Sequence, residues 1–222
     1  MAVYRGDMPA LTLLLASASP ARLATLRSAG VEPRVQVSAV DEVAAVAAAE
    51  ERHGALGAAD VALLLARAKA EDVVAALGDD DDEDLVLGCD SVLELDGEVH
   101  GRPADAAEAT ERWGRMRGRS GVLHTGHWLV DRRGPEDGGS GGLVGATAST
   151  TVHFAALDDA EIAAYVATGE PLRVAGAFTL DGLGAPYVAG IEGDPSNVVG
   201  VSLPLLRELL RELGVGWHDL RD

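Results

Sequence analysis

The strongest constraint on this chain is an alternation of strand-like and helix-like segments, set at once by "LTLLLASASPARLATLRSAG", residues Leu11 to Gly30. An apolar run meets a Ser-rich turn. Pro20, Leu23 and Leu26 at helical spacing, with Gly30 just beyond, then give the start and stop signals of a helix. The segment also has the form of an export signal, an apolar run ending in small residues of the A-x-A kind. Against export, the run from Ala10 to Ala16 is at the short edge for a signal core, and Asp7 offsets Arg5 where a positive flank is needed. Cleavage there would also remove a core strand.

The alternation continues along the chain. "RVQVSAV" reads as a strand, and "ADVALLLARAKAEDVVAAL" as an amphipathic helix ending before Gly78. "LVLGCDSVLELDGEVHGRP" reads as a buried strand ending at Asp90, followed by a hairpin turned by Asp96 and Gly97. "ADAAEATERWGRM" is a helix. "VLHTGHWLVD" and "TASTTVHFAAL" pair as strands across "RRGPEDGGSGGLVG", which reads as a flexible connection. A helix from Asp158 to Thr168 carries Glu161 three residues after its first, and it stops at Gly169 with Pro171 beyond. A Gly-rich region and the helix "LPLLRELLREL" close the chain. With 222 residues, 47% of them hydrophobic, the chain can bury a sizeable core as one large domain or two small lobes. The class expected is α/β.

A net charge of -18 excludes partners that need a basic surface, namely nucleic acid and anionic membranes. A small anionic substrate would need a local positive site. No apolar run approaches the roughly 18 residues of a membrane helix. One cysteine, Cys89, excludes an intramolecular disulfide and fits a reducing compartment, the cytoplasm. The run "GDDDDED" reads as a solvated loop, since adjacent carboxylates there lack the fixed geometry of a cation site.

Among single residues, Asp90 sits where open α/β sheets present ligands, yet an isolated Asp-Ser pair is equally a turn cap. Cys89 has no His beside it in sequence and reads as a buried, inert thiol. Lys69 is the only lysine against 17 arginines, so it marks either a site that needs a compact ammonium or a chance survival on a solvated face. Asn197 and Gln36 are also single occurrences. Ser17 and Ser19 precede a helix N-terminus that favours phosphate, with Arg22 in its first turn; ordinary Ser capping explains the same residues.

Taken in order, "LLLASASPARLATLRSAG", "VDE" at Val40 to Glu42, "LARAKA", "GCDS" with the later "GRP", "YVATGEP", "AGAFTLDGLGA" and "GDPSNVVGVSLPLL" resemble the Maf family over about Leu11 to Leu213. These are nucleoside triphosphate pyrophosphatases historically linked to septum formation. The resemblance implies an elongated α/β fold, a mixed sheet with flanking helices, two lobes around an active cleft, and a single domain over residues 1–222. It implies hydrolysis of a nucleoside triphosphate to monophosphate and pyrophosphate with a divalent cation, Mg²⁺ or Mn²⁺.

Carried over by position, Asp90 matches the proton acceptor, Glu42 the acidic residue near the metal, and Lys69 the helix lysine. Ser17, Ser19 and Arg22 match the phosphate loop, Arg102 the cation of a "GKP" motif, and Asp181 a position in the base-recognition strand. Glu42 and Asp90 are the metal ligands implied, and Lys69, Arg22 and Arg102 the groups that stabilise departing pyrophosphate. The chain departs from the family pattern at Ala21, Arg102, Gly121 and Val174, where many members have Arg, Lys, His and Lys. A nucleotide-binding regulator of cell division with little hydrolysis is the rival reading, and a homodimer is open.

Overall fold

The computed structural model describes residues 10–78 and 81–221; Arg5, Asp7 and two aspartates of the acidic run, Asp79 and Asp80, lie outside it. The chain runs β1 (Leu13–Ala16), α1 (Pro20–Ser28), β2 (Arg34–Val35), α2 (Glu42–His53), α3 (Ala58–Ala76), β3 (Leu85–Leu95) and β4 (Glu98–His100). It continues through α4 (Ala106–Met116), β5 (Ser120–Asp131), β6 (Leu143–Phe154), α5 (Asp159–Ala167), β7 (Val188–Glu192), α6 (Pro195–Val199) and α7 (Leu203–Glu212). The described residues therefore form a mixed α/β fold with seven strands and seven α-helices.

One sheet holds all the described strands, in the order β2-β1-β3-β5-β6-β7, with β4 joined to β3. β1 is parallel to both its neighbours, and the other pairings are antiparallel. One edge of β3 pairs first with β1, over Leu85 to Gly88, and then with β4, over Leu93 to Leu95. Between these stretches, residues 89–92 have no strand on that side among the described residues. Asp90 lies in this fork.

On one sheet face, Leu13, Leu15, Leu85, Leu87 and Leu129 pack with α1 and α7. Farther along the same face, Leu93, Leu123, Val152 and Phe154 pack with α4 and α5 around Trp113. The polar pair Ser91 and Thr125 lies between the two cores, with hydroxyl oxygens 2.9 Å apart. Two apolar lobes separated by a polar seam place a cleft where β3 forks. The other face is covered by α3.

Local signals explain most element ends. Ser19 caps α1, its hydroxyl accepting from the Arg22 amide, and Asp158 and Glu161 close a reciprocal capping box on α5. Asp96 and Gly97 both have positive φ, 58° and 77°, as a two-residue hairpin of this hand requires.

Three expectations are corrected. β3 does not end at Asp90 but continues to Leu95, because Val92, Leu93 and Leu95 remain buried and β5 pairs with it over Leu85 to Glu94. Only Arg34 and Val35 of "RVQVSAV" pair as strand, since their four-residue partner β1 ends at Ala16 and Val35 and Val37 stand largely exposed. The β5–β6 connection is shorter than expected, because β6 starts at Leu143, and it is tied down. The Asp131 carboxylate accepts from Arg133 (2.8 and 3.0 Å) and from the Ser140 amide and hydroxyl (2.8 and 2.9 Å).

Candidate active site

The site begins with two glycines. A Cβ on Gly88 would stand 2.1 Å from the Ala66 carbonyl oxygen, and one on Gly126 would stand 2.2 Å from that of Ala62. The absence of side chains at these two sheet positions lets α3 lie directly on β3 and β5. Ala66 is one turn from Lys69, so this close approach carries the lysine to the fork in β3. The Lys69 ammonium meets Asp90 Oδ1 at 2.5 Å and Glu42 Oε1 at 2.7 Å. Glu42 is the first residue of α2, whose N-cap Asp41 accepts from the Ala44 amide. Three elements thus converge on one ammonium.

Asp90 is 8% exposed. Burial pushes its carboxyl above the ordinary carboxylate range, with the charges of Lys69 and Arg22 pulling the other way. Its Oδ1 accepts from Lys69, whereas Oδ2 accepts from no protein group among the described residues. Cys89 is buried, and desolvation pushes its thiol up to about 12, so the thiolate needed for nucleophilic chemistry is absent near neutral pH.

Ser17, Ser19 and Arg22 come together at the start of α1. The Ser17 hydroxyl oxygen accepts from the Ser19 amide and from Arg22 Nη1. Arg22 itself is buried and highly committed. It donates to the Gly200 carbonyl (2.7 Å), the Cys89 carbonyl (2.9 Å), the Ser17 hydroxyl (2.9 Å) and the Ser91 hydroxyl (3.0 Å). Four of the five guanidinium N–H groups are so engaged, and the arginine knits α1, β3 and the end of α6 together at the fork. Arg102 and Asp181 stand exposed on the wall of the same cleft, which has a volume of about 740 Å³, within the range of small-molecule sites.

Ser91 and Arg173 carry little signal in the sequence. Ser91 supports Arg22 and follows Asp90 directly, so the Asp-Ser pair was its only signal. Arg173, exposed on the cleft wall in the single turn Pro171–Arg173, left no signal beyond its charge. The solitary Asn197 is fully buried and donates to the Leu123 carbonyl and the Thr150 hydroxyl, which ties α6 to β5 and β6. Gln36 lies next to β2 and its amide donates to the Leu15 carbonyl.

Against known proteins, a family model described as "Maf-like protein" matches residues 12–213. The chain belongs to the Maf family. A relative from Salinispora tropica named "Nucleoside triphosphate pyrophosphatase" is 58% identical over 211 residues, covering 95% of this chain and 87% of the relative. Proteins of the same name from Streptomyces coelicolor and Leifsonia xyli are 56% and 55% identical, covering 96% and 95% of this chain and 95% and 96% of the relatives. The Maf match spans both lobes and the cleft between them. No helix among the described residues is long and apolar enough to cross a membrane.

Proposed function

We propose that this Maf-family chain hydrolyses a nucleoside triphosphate to the monophosphate and pyrophosphate, with water attacking the α-phosphorus. The observation that carries this reading is the placement of Lys69 between Glu42 and Asp90 at the floor of a cleft between two lobes. The names of relatives that share more than half of this chain's residues support the same reaction.

In this reading Asp90 is the general base. Lys69 fixes the carboxyl through Oδ1, and Oδ2 is left to take the proton of the attacking water. The new bond joins the water oxygen to the α-phosphorus, and the bond from that phosphorus to the bridging oxygen breaks, so pyrophosphate leaves. Ser17 offers its hydroxyl proton to a phosphate oxygen, since its oxygen already accepts two protein hydrogen bonds. Ser19 and the first amides of α1 favour a negative charge at the same place. Arg102 adds a guanidinium suited to phosphate.

The described residues contain no cluster of three or more metal-ligating side chains. The two carboxylates of Glu42 and Asp90 nevertheless fit a hard divalent cation such as Mg²⁺ or Mn²⁺, which takes one or two carboxylates and completes its shell with phosphate oxygens and water. Such an ion, when bound, supplies charge neutralisation to the phosphates.

Asp181 is read as the residue that meets the base. A carboxylate only accepts hydrogen bonds, so it favours a base edge rich in donors, such as guanine or cytosine. The buried, unpaired thiol of Cys89 suits a reducing compartment such as the cytoplasm.

The test is pyrophosphate release from a panel of triphosphates with Mg²⁺ or Mn²⁺, using the native protein, Asp90→Asn and Lys69→Arg. Asp90→Asn is expected to lower turnover by about 10²–10⁴-fold with the fold intact. Lys69→Arg is expected to lose activity as well, because a planar guanidinium cannot sit between the two carboxylates as the compact ammonium does. Tight nucleotide binding without turnover by the native protein would favour the regulatory reading instead.

A further inference from the structure

A triphosphate approaching a chain of net charge -18 needs cations in the cleft that are not already neutralised. Among the described residues, four basic side chains line that cleft: Arg22, Lys69, Arg102 and Arg173. Lys69 is shared by two carboxylates, and Arg22 spends four donors on the protein's own oxygens. Arg102 and Arg173 remain. Both are exposed, and neither makes a side-chain hydrogen bond or an ion pair among the described residues.

Among the described residues no carboxylate pairs with Arg173, although Asp181 lines the same cleft. The closest acidic residue in sequence, Glu170, is occupied: its oxygens accept from the Tyr165 and Thr179 hydroxyls and from the Leu183 and Gly184 amides. Those bonds commit the Glu170 carboxylate to Tyr165, Thr179 and the turn at Leu183 and Gly184. Arg173 is also coupled to Arg102 through the backbone. The Gly176 amide donates to the Gly101 carbonyl at 3.1 Å, which fastens the turn that follows Arg173 to the residue before Arg102. The two guanidinium groups, unpaired among the described residues, are therefore carried on one hydrogen-bonded rim. Asp90, where the reacting phosphorus must sit, lies buried at the floor. A rim of exposed cations above a buried base suits the phosphates farther from the reacting one.

We propose that Arg173 is a substrate-binding residue that acts with Arg102 to grip the terminal phosphates of the triphosphate, and hence the departing pyrophosphate. A guanidinium presents paired N–H donors that match two phosphate oxygens, and no side-chain hydrogen bond among the described residues engages those of Arg173. The inference rests on the pyrophosphatase reading and extends it to a residue that reading does not require.

The experiment measures binding of pyrophosphate and of the nucleoside monophosphate by calorimetry, for the native protein, Arg173→Ala and Arg173→Lys, beside steady-state kinetics with the best triphosphate. Arg173→Ala is expected to weaken pyrophosphate about tenfold, the usual scale for losing a hydrogen bond to a charged group. It should leave monophosphate affinity unchanged and raise KM more than it lowers kcat. Arg173→Lys should recover part of the loss by keeping the charge. The thermal midpoint should not move, because the Arg173 side chain has no hydrogen bond or ion pair among the described residues to lose. Unchanged pyrophosphate affinity in Arg173→Ala, equal weakening of both products, or no binding of pyrophosphate to the native protein would overturn the proposal. Failure of the native protein to turn over any triphosphate would instead sink the pyrophosphatase reading on which it rests.

Discussion

Adding one methyl group at Gly88 should damage catalysis without touching a reacting residue. The Cβ of Gly88→Ala would lie 2.1 Å from the Ala66 carbonyl oxygen and 2.9 Å from the Ala70 Cβ. Carbon and oxygen atoms in ordinary contact stand well beyond 3 Å apart, so α3 must lift off the sheet by roughly 1 Å. The carbonyl is backbone in the middle of a 19-residue helix, and no rotamer change relieves the clash. Overpacking of this kind costs about 1–3 kcal/mol, which for a chain of this size lowers the melting temperature by roughly 2–12 °C. Lys69 rides on the same turn, so its 2.5 Å contact with Asp90 opens as the helix lifts. A displacement near 1 Å at a catalytic group can cost about 10²-fold in rate. Thermal unfolding and pyrophosphate release, measured on the same preparation, read both effects. Gly114→Ala is the control. Gly114 is a glycine inside α4 where a Cβ meets nothing, and the substitution should stabilise by about 0.5–1 kcal/mol with turnover unchanged. A Gly88→Ala protein with native melting temperature and native turnover would refute the idea that close helix–sheet approach positions Lys69.

Two further outcomes are expected. His127 is buried; its Nε2 accepts from the Ser202 amide, so Nδ1 carries the proton and donates to the Thr125 carbonyl. Burial lowers its pKa to about 4, from an ordinary value near 6.5. Between those values the unfolded chain binds the proton and the folded chain does not, so stability present at neutral pH is lost as the pH falls through this window. The loss from this group is about 2 kcal/mol between pH 7 and pH 5. Urea titrations of the native protein and His127→Asn should show it in the first and not in the second, and equal pH dependence in both would remove it. Asp181→Gln should move kcat/KM towards UTP and dTTP, because an amide can donate as well as accept. An unchanged order of preference would make Asp181 a turn residue.

The sequence made local features legible wherever the physical cause is local. The helix after Ser19, the capping box of α5 and the Asp96-Gly97 hairpin all follow from neighbouring residues. What depends on distant partners stayed hidden. Arg22 reads in sequence as a phosphate ligand, but its hydrogen bonds go to Cys89, Ser91 and Gly200, which only the folded sheet brings near. The continuation of β3 past Asp90 depends on pairing with β5, and the firm β5–β6 connection on a buried Asp131–Arg133 pair inside a Gly-rich stretch. Asp90 is legible from its place in an apolar strand and Lys69 as the only lysine, Glu42 from the resemblance alone; their meeting at one ammonium follows from Gly88 and Gly126, whose role is visible only once α3 lies on the sheet.

The central claim is attack of water on the α-phosphorus beside Asp90. Turnover of the preferred triphosphate in water labelled with heavy oxygen, followed by mass spectrometry of both products, tests it most directly. One labelled oxygen in the monophosphate and none in the pyrophosphate is the predicted result. Label in the pyrophosphate would place the attack on the β-phosphorus, and release of a nucleoside diphosphate and orthophosphate would contradict the reaction itself.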